Sequence, residues 1–222
     1  MNDDKSRDIY TFPKWSNILR VGIAVAVVGG LAYAAIIVTF GFSPKTTDVG
    51  YAPTQPMAYS HALHVNELGI DCRYCHTTVE EAAHAAVPPT QTCMNCHSMV
   101  RTNSEKLTPV RQSYASGMPV EWIRVHDLPD YVYFNHSAHV TRGIGCVSCH
   151  GRVDTLEVVY QAEPLSMGWC LECHRNPERH LRPVEYVSQL DWVPQEDQEV
   201  LGAKLAEMHG IKPPVDCNGC HR

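Results

Sequence analysis

The sequence predicts a mostly irregular chain of short helices wrapped around covalently attached prosthetic groups, preceded by one membrane-crossing helix. Three observations predict it. All ten cysteines fall in five Cys-x-x-Cys-His motifs. An uncharged apolar run occupies residues 21–42. The 222-residue chain sets only four phenylalanines beside thirteen histidines, so it has few large apolar side chains for a protein-only core and something else must fill the interior. The formal net charge of −6 comes with no basic run or stripe, which sets nucleic-acid binding aside.

The apolar run reads VGIAVAVVGGLAYAAIIVTFGF from Val21 to Phe42. As a helix, 22 residues at ~1.5 Å each reach about 33 Å, enough for a bilayer core of roughly 30 Å. Trp15 stands at the expected interface. Lys14 and Arg20, with Lys5 and Arg7 further out, precede the run, and Lys45 is the nearest cation after it. That bias predicts residues 1–20 in the cytoplasm and the rest on the periplasmic side, with lipid as a partner. A cleaved signal peptide ending at Ala32-Tyr33-Ala34 is the alternative, and it is disfavoured because the apolar run continues eight residues further. Residues 43–58 contain three prolines and read as an extended linker.

The motifs pair Cys72 with Cys75, Cys93 with Cys96, Cys146 with Cys149, Cys170 with Cys173, and Cys217 with Cys220. The histidines that follow are His76, His97, His150, His174 and His221. Two cysteines three positions apart lie on neighbouring faces of one helical turn, so both sulfurs can reach the two vinyl groups on one porphyrin edge. The next residue swings its imidazole over the iron as proximal ligand. Disulfides would not require the histidines, structural zinc needs four ligands per ion, and a thioredoxin-like motif occurs once in a βαβ setting. The spacing therefore predicts five haem c groups.

Residues 59–76 (YSHALHVNELGIDCRYCH) and 134–150 (FNHSAHVTRGIGCVSCH) repeat one pattern, with 75 residues from His61 to His136. Each copy is followed by another motif, giving two-haem modules at 59–100 and 134–175, a connecting segment at 101–133, and a C-terminal segment at 176–222 with the fifth motif. Histidines at i and i+3 of a helix project in different directions and can serve two irons. The arrangement resembles the class III cytochrome family. By that resemblance His61 serves the haem at Cys72/Cys75, His136 serves that at Cys146/Cys149, and His64 and His139 each serve another haem. The expected fold class is thus a class III-like multihaem cytochrome c.

A fifth distal ligand remains. His126 is the first choice and Met167, three residues before Cys170, the next; methionine opposite histidine would raise the potential of the Cys170/Cys173 haem. His84, His180, His209, Met57, Met118 and Met208 are weaker candidates. Elsewhere, 131–134 and 156–160 read as short strand-like runs. The stretch after Pro194 reads as a helix ending before Gly210, with Val200, Leu201, Leu205 and Met208 on its apolar face.

The segments WIRVHDLPDYVYFNHSAHV, CVSCHGRVD, EVVYQAEPLSMGWCLECHR and PERHLRP resemble the pentahaem cytochrome c subunit of alternative complex III. The layout of one N-terminal helix and five motifs is similar as well. The resemblance implies a membrane complex that oxidises quinol and reduces a periplasmic acceptor. It implies as partners an iron–sulfur subunit, polytopic subunits with the quinone site, and a monohaem cytochrome c. It also implies a relay with no catalytic residue of its own. A multihaem reductase would need an iron with an open position, and a self-sufficient quinol dehydrogenase would need its own quinone site beside the helix.

Overall fold

The computed structural model describes residues 12–42 and 47–221. Lys5, Arg7, Lys45, most of the 1–20 segment and residues 43–46 of the linker lie outside the described residues. The chain divides into two compact units between residues 46 and 47.

The first unit is a helix, α1 (Ser16–Ile36), that relaxes into a π-helical turn at Ile37–Gly41. Together they make a candidate membrane span of 26 residues with mean hydropathy 2.5 and none of it buried. At ~1.5 Å per residue it reaches about 39 Å. The helix starts five residues before the predicted Val21, because Arg20 and Ser16 interrupt hydropathy without interrupting helical backbone. A helix apolar around its whole circumference belongs in lipid or against other apolar helices.

The second unit is built from short helices: a π-helical stretch at Ala62–Glu67, α2 (Cys72–Cys75), α3 (Thr90–His97), α4 (Thr108–Ser116), α5 (His136–Val140), α6 (Val147–His150), α7 (Met167–Arg175) and α8 (Gln198–His209). Among the described residues there are two isolated β-bridges, Val132 with His221 and Ile144 with Leu181, and no strand. The strand-like readings at 131–134 and 156–160 are therefore corrected. Asn135 caps α5 directly after Phe134, which leaves Val132 alone to pair. The Leu156 carbonyl accepts from Ala62 N instead of from a neighbouring strand.

Helix α8 starts at Gln198, with Asp197 accepting from Glu199 N and Val200 N, and ends at Gly210 in the left-handed region. Its buried residues are Gly202 and Leu205, whereas Val200 and Met208 are exposed. The apolar face is rotated from the predicted one because Gly202 lets the helix press against the Glu178 backbone.

Buried apolar residues of this unit are few: Met57, Val110, Val140, Leu181, Val187, Leu190 and Leu205. Instead of a packed core, a connected cavity of about 3000 Å³ runs through the unit. That is about three times the ~1,000 Å³ of a large small-molecule pocket. Its walls include all ten cysteines and all five histidines that follow them.

The duplicated modules are interlocked. Ser137 N, in α5, donates to Ala82 O at 3.2 Å, and His136 N donates to Ala83 O at 3.1 Å. In return Ala62 N donates to Leu156 O at 3.1 Å. Ala62 and Ser137 are equivalent in the repeat, and Ala82 and Leu156 each lie six residues after the histidine of the preceding motif. A strap at 187–188 ties the two first motifs together: Cys146 N donates to Val187 O, and Ser188 Oγ donates to Asp71 Oδ2 at 2.7 Å.

Candidate functional site

Each cysteine pair sits on a single helical turn, as the spacing requires. His76 N, His150 N and His221 N donate to the carbonyls of Cys72, Cys146 and Cys217 at 2.9–3.0 Å. The other two pairs lie within α3 and α7. Caps hold these turns: Asp71 accepts from Arg73 N, Ser166 from Trp169 N, and Asp216 from Gly219 N. The ten cysteines are free, so no disulfide competes for them. Burial, with Cys173 and Cys170 nearby, pushes the Cys149 thiol up to about 12.

The His-x-x-His elements approach the motif histidines at a consistent spacing. Ring centroids are 6.3 Å apart for His64 and His97, 6.4 Å for His136 and His150, and 6.1 Å for His139 and His174. Two imidazoles on opposite sides of one metal, each bonded at about 2 Å, put their centroids roughly 6 Å apart. His61 lies beside His76; burial, and after it His76 and His64, lowers His61 to about 4. Burial lowers His150 further, to about 3. Both are neutral imidazoles at neutral pH, the form a metal accepts.

An aromatic residue orients each pair. Tyr59 meets His61 edge-on at 4.8 Å and stacks on His64 at 4.5 Å. Phe134 does the same for His136 and His139, both at 4.8 Å. The aromatic residue recurs two positions before the first histidine in both copies, which is the sequence signal for this role.

In six of these histidines Nδ1 donates to a backbone carbonyl, whereas His61 Nδ1 is buried without a partner. His64 Nδ1 donates to Ser60 O at 2.8 Å and His139 Nδ1 to Asn135 O at 2.7 Å, the same i−4 bond in both copies. His76 donates to Ala86 O at 2.7 Å, His97 to Val100 O at 3.0 Å, His136 to Ala83 O at 2.9 Å, and His174 to Pro214 O at 2.7 Å. Donation from Nδ1 fixes the tautomer that leaves Nε2 free for a metal. Carbonyl acceptors carry no sequence signal and were not foreseen.

The fifth motif is anchored differently. Tyr133 N donates to Cys220 O at 2.7 Å, and the ring next to His221 is Tyr131, 5.9 Å away. His126 does not stand beside His221 in ring contact; it meets His150 edge-on at 4.4 Å, with Nε2 buried and unpartnered. Met167 lines the cavity with its thioether largely exposed. His84, His180 and Met57 also line the cavity. Met118 and His209 are exposed, as is Met208.

The fit to haem c is direct: paired sulfurs on one turn, an imidazole after each pair, a second imidazole at metal-bridging distance in three cases, and an apolar void along all of them.

Comparison with known proteins gives two matches. The family described as cytochrome c7 and related cytochrome c matches residues 132–222, which hold the second His-x-x-His element and the last three motifs. A protein of Nitratidesulfovibrio vulgaris named "menaquinone reductase, multiheme cytochrome c subunit" is 31% identical over 148 residues, 57% of this chain and 70% of that protein.

Proposed function

The chain belongs to the family of multihaem cytochrome c subunits, and from that premise we propose that it is a pentahaem electron relay in a membrane complex that exchanges electrons with quinone. Haem c supplies one-electron redox chemistry when bound. Everything else is the work of the chain. The five cysteine pairs hold the groups by thioether bonds. His76, His97, His150, His174 and His221 would be the proximal ligands, and His61, His64, His136 and His139 would hold the first four haems from the other side. The observation that carries this reading is the recurrence of one motif histidine and one His-x-x-His histidine at 6.1–6.4 Å.

We assign the fifth distal position to Met167. Helix α7 carries Met167 and Cys170 three residues apart, hence on neighbouring positions of its surface. The same helix is tied to the fifth motif through His174 Nδ1 and Pro214 O. With His139 opposite His174, Met167 is free for the next iron.

With two side chains of the chain available to each haem, the chain would do no bond chemistry of its own, and quinone would react in other subunits. α1 would anchor it with Lys14 and Arg20 on the cytoplasmic side and the motif-bearing unit in the periplasm. The long resemblance at 121–182 favours alternative complex III, in which electrons leave quinol for a periplasmic acceptor through iron–sulfur, polytopic and monohaem cytochrome subunits. The name of the Nitratidesulfovibrio relative favours the opposite direction, electrons delivered to menaquinone. Purifying the native complex decides between them. We expect five haems per chain by pyridine haemochrome, and menaquinol-dependent reduction of a soluble acceptor. Fewer haems would overturn the pentahaem reading. Menaquinone reduction without quinol oxidation would move the chain to the second direction.

A further inference from the structure

We propose that His126 is a positioning residue for His150 and ligates no iron itself. This rests on the reading of His150 as a proximal ligand.

Three observations carry it. The His126 and His150 ring centroids are 4.4 Å apart at 76°. That is too close for a metal between them, since two ligating rings need roughly 6 Å. His150 already has a ring at metal-bridging distance on its other side, His136 at 6.4 Å and nearly parallel. Second, His126 Nε2 is buried without a partner. A ligating nitrogen must open onto the void that holds the metal, and this atom is buried although His126 lines the cavity with other atoms. Third, His76, His97 and His174 each anchor Nδ1 on a backbone carbonyl. No such carbonyl serves His150 among the described residues; the polar group against it is His126.

The segment carrying His126 is itself pinned. Gln55 Nε2 donates to Ile123 O at 2.8 Å, and Ile123 N donates to Gln55 Oε1 at 2.9 Å. His126 is thus held against His150 by backbone three residues away. A neutral His126 offers one ring lone pair. The proposed hydrogen bond runs from His150 Nδ1–H to that lone pair, across the edge-on contact of the two rings. Donation of that kind makes the ligating imidazole more basic, which favours ferric iron and lowers the potential.

The test compares His126→Ala and His126→Gln with the wild-type chain, purified in detergent. Haems per chain, low-spin EPR signals and the midpoint potential of each haem are measured. Both variants are expected to keep the wild-type haem count with no high-spin signal. His126→Ala should raise one midpoint potential, and His126→Gln, whose amide oxygen accepts, should bring it back toward wild type. A high-spin haem or a lost low-spin signal in either variant would make His126 a ligand and overturn the proposal. Potentials unchanged in both variants would overturn it too. The wild-type haem count reports separately on the pentahaem reading.

Discussion

Replacing Gly202 by alanine should destabilise the protein, the reverse of the usual sign in a helix interior. In an open helical position glycine-to-alanine gains about 1 kcal/mol. In α8 the new Cβ would lie 1.8 Å from Glu178 O and 2.5 Å from its carbonyl carbon. An ordinary C···O contact is about 3.3 Å, so the methyl is about 1.5 Å too close. The obstacle is backbone, which no rotamer change relieves. Moving it also strains the Gln198 amide, which donates to Glu178 O at 2.9 Å and Leu181 O at 2.7 Å. Overpacking costs about 1–3 kcal/mol and a disturbed hydrogen bond about 1 kcal/mol more. Set against the propensity gain, the net loss is about 1–3 kcal/mol. In a unit of this size each kcal/mol is worth about 2–4 °C, so the melting temperature should fall by about 2–12 °C. Thermal unfolding of the full chain in detergent, followed by far-UV circular dichroism, measures it. Ala203→Gly, at the exposed neighbouring position, is the control and should lose about 1 kcal/mol from propensity alone. A Gly202→Ala protein that melts at or above the wild-type temperature would refute the close-approach argument.

Other outcomes follow from the same geometry. His64→Ala should leave five haems attached while one low-spin EPR signal becomes high-spin, and His139→Ala should do the same to a different haem; an unchanged spectrum would remove that histidine from the ligands. Met167→Ala should abolish the near-infrared charge-transfer band of a thioether-ligated ferric haem and lower one midpoint potential. If the wild-type protein has no such band, Met167 is a packing residue. Arg73, donating to Asp71, holds that carboxyl near 2, with Ser188 adding a second donor. A depressed carboxylate contributes stability that is present above its unfolded value near 4 and lost as pH falls through about 2. Asp71→Asn should therefore flatten acid unfolding between about pH 4 and pH 2, and unaltered acid sensitivity would count against the Asp71–Arg73–Ser188 cluster.

Attachment chemistry could be read from the chain because it is local: two sulfurs and an imidazole on one turn need only their spacing. The His-x-x-His elements could be read because they occur twice. What escaped is tertiary. Ala83, Ala86, Val100 and Pro214 act through their carbonyls, and any residue type would present the same atom. Gly202 has no side chain to signal burial, yet it is one of the two buried residues of α8. Glycines 69 and 143 stand at the same place in the two copies, and both adopt positive φ, 67° and 83°, to end the histidine-bearing helix before the cysteine turn. Gly143 has a second duty, since a Cβ there would meet Arg182 O at 2.2 Å.

The repeat also misleads if it is taken to mark independent bodies. Each His-x-x-His element hangs its first turn on a carbonyl of the other copy, Ser137 N on Ala82 O and Ala62 N on Leu156 O. The 187–188 strap then binds both first motifs at once, through Cys146 N and Asp71. A chain with so small an apolar core cannot afford modules that each close alone. Crossing the copies places the His-x-x-His histidines of one copy under the control of backbone that follows a motif of the other. Imidazole spacing is thereby set by the same hydrogen bonds that hold the unit together. Loss of one copy should consequently disturb ligation in the other, a coupling that two beads on a string would not have.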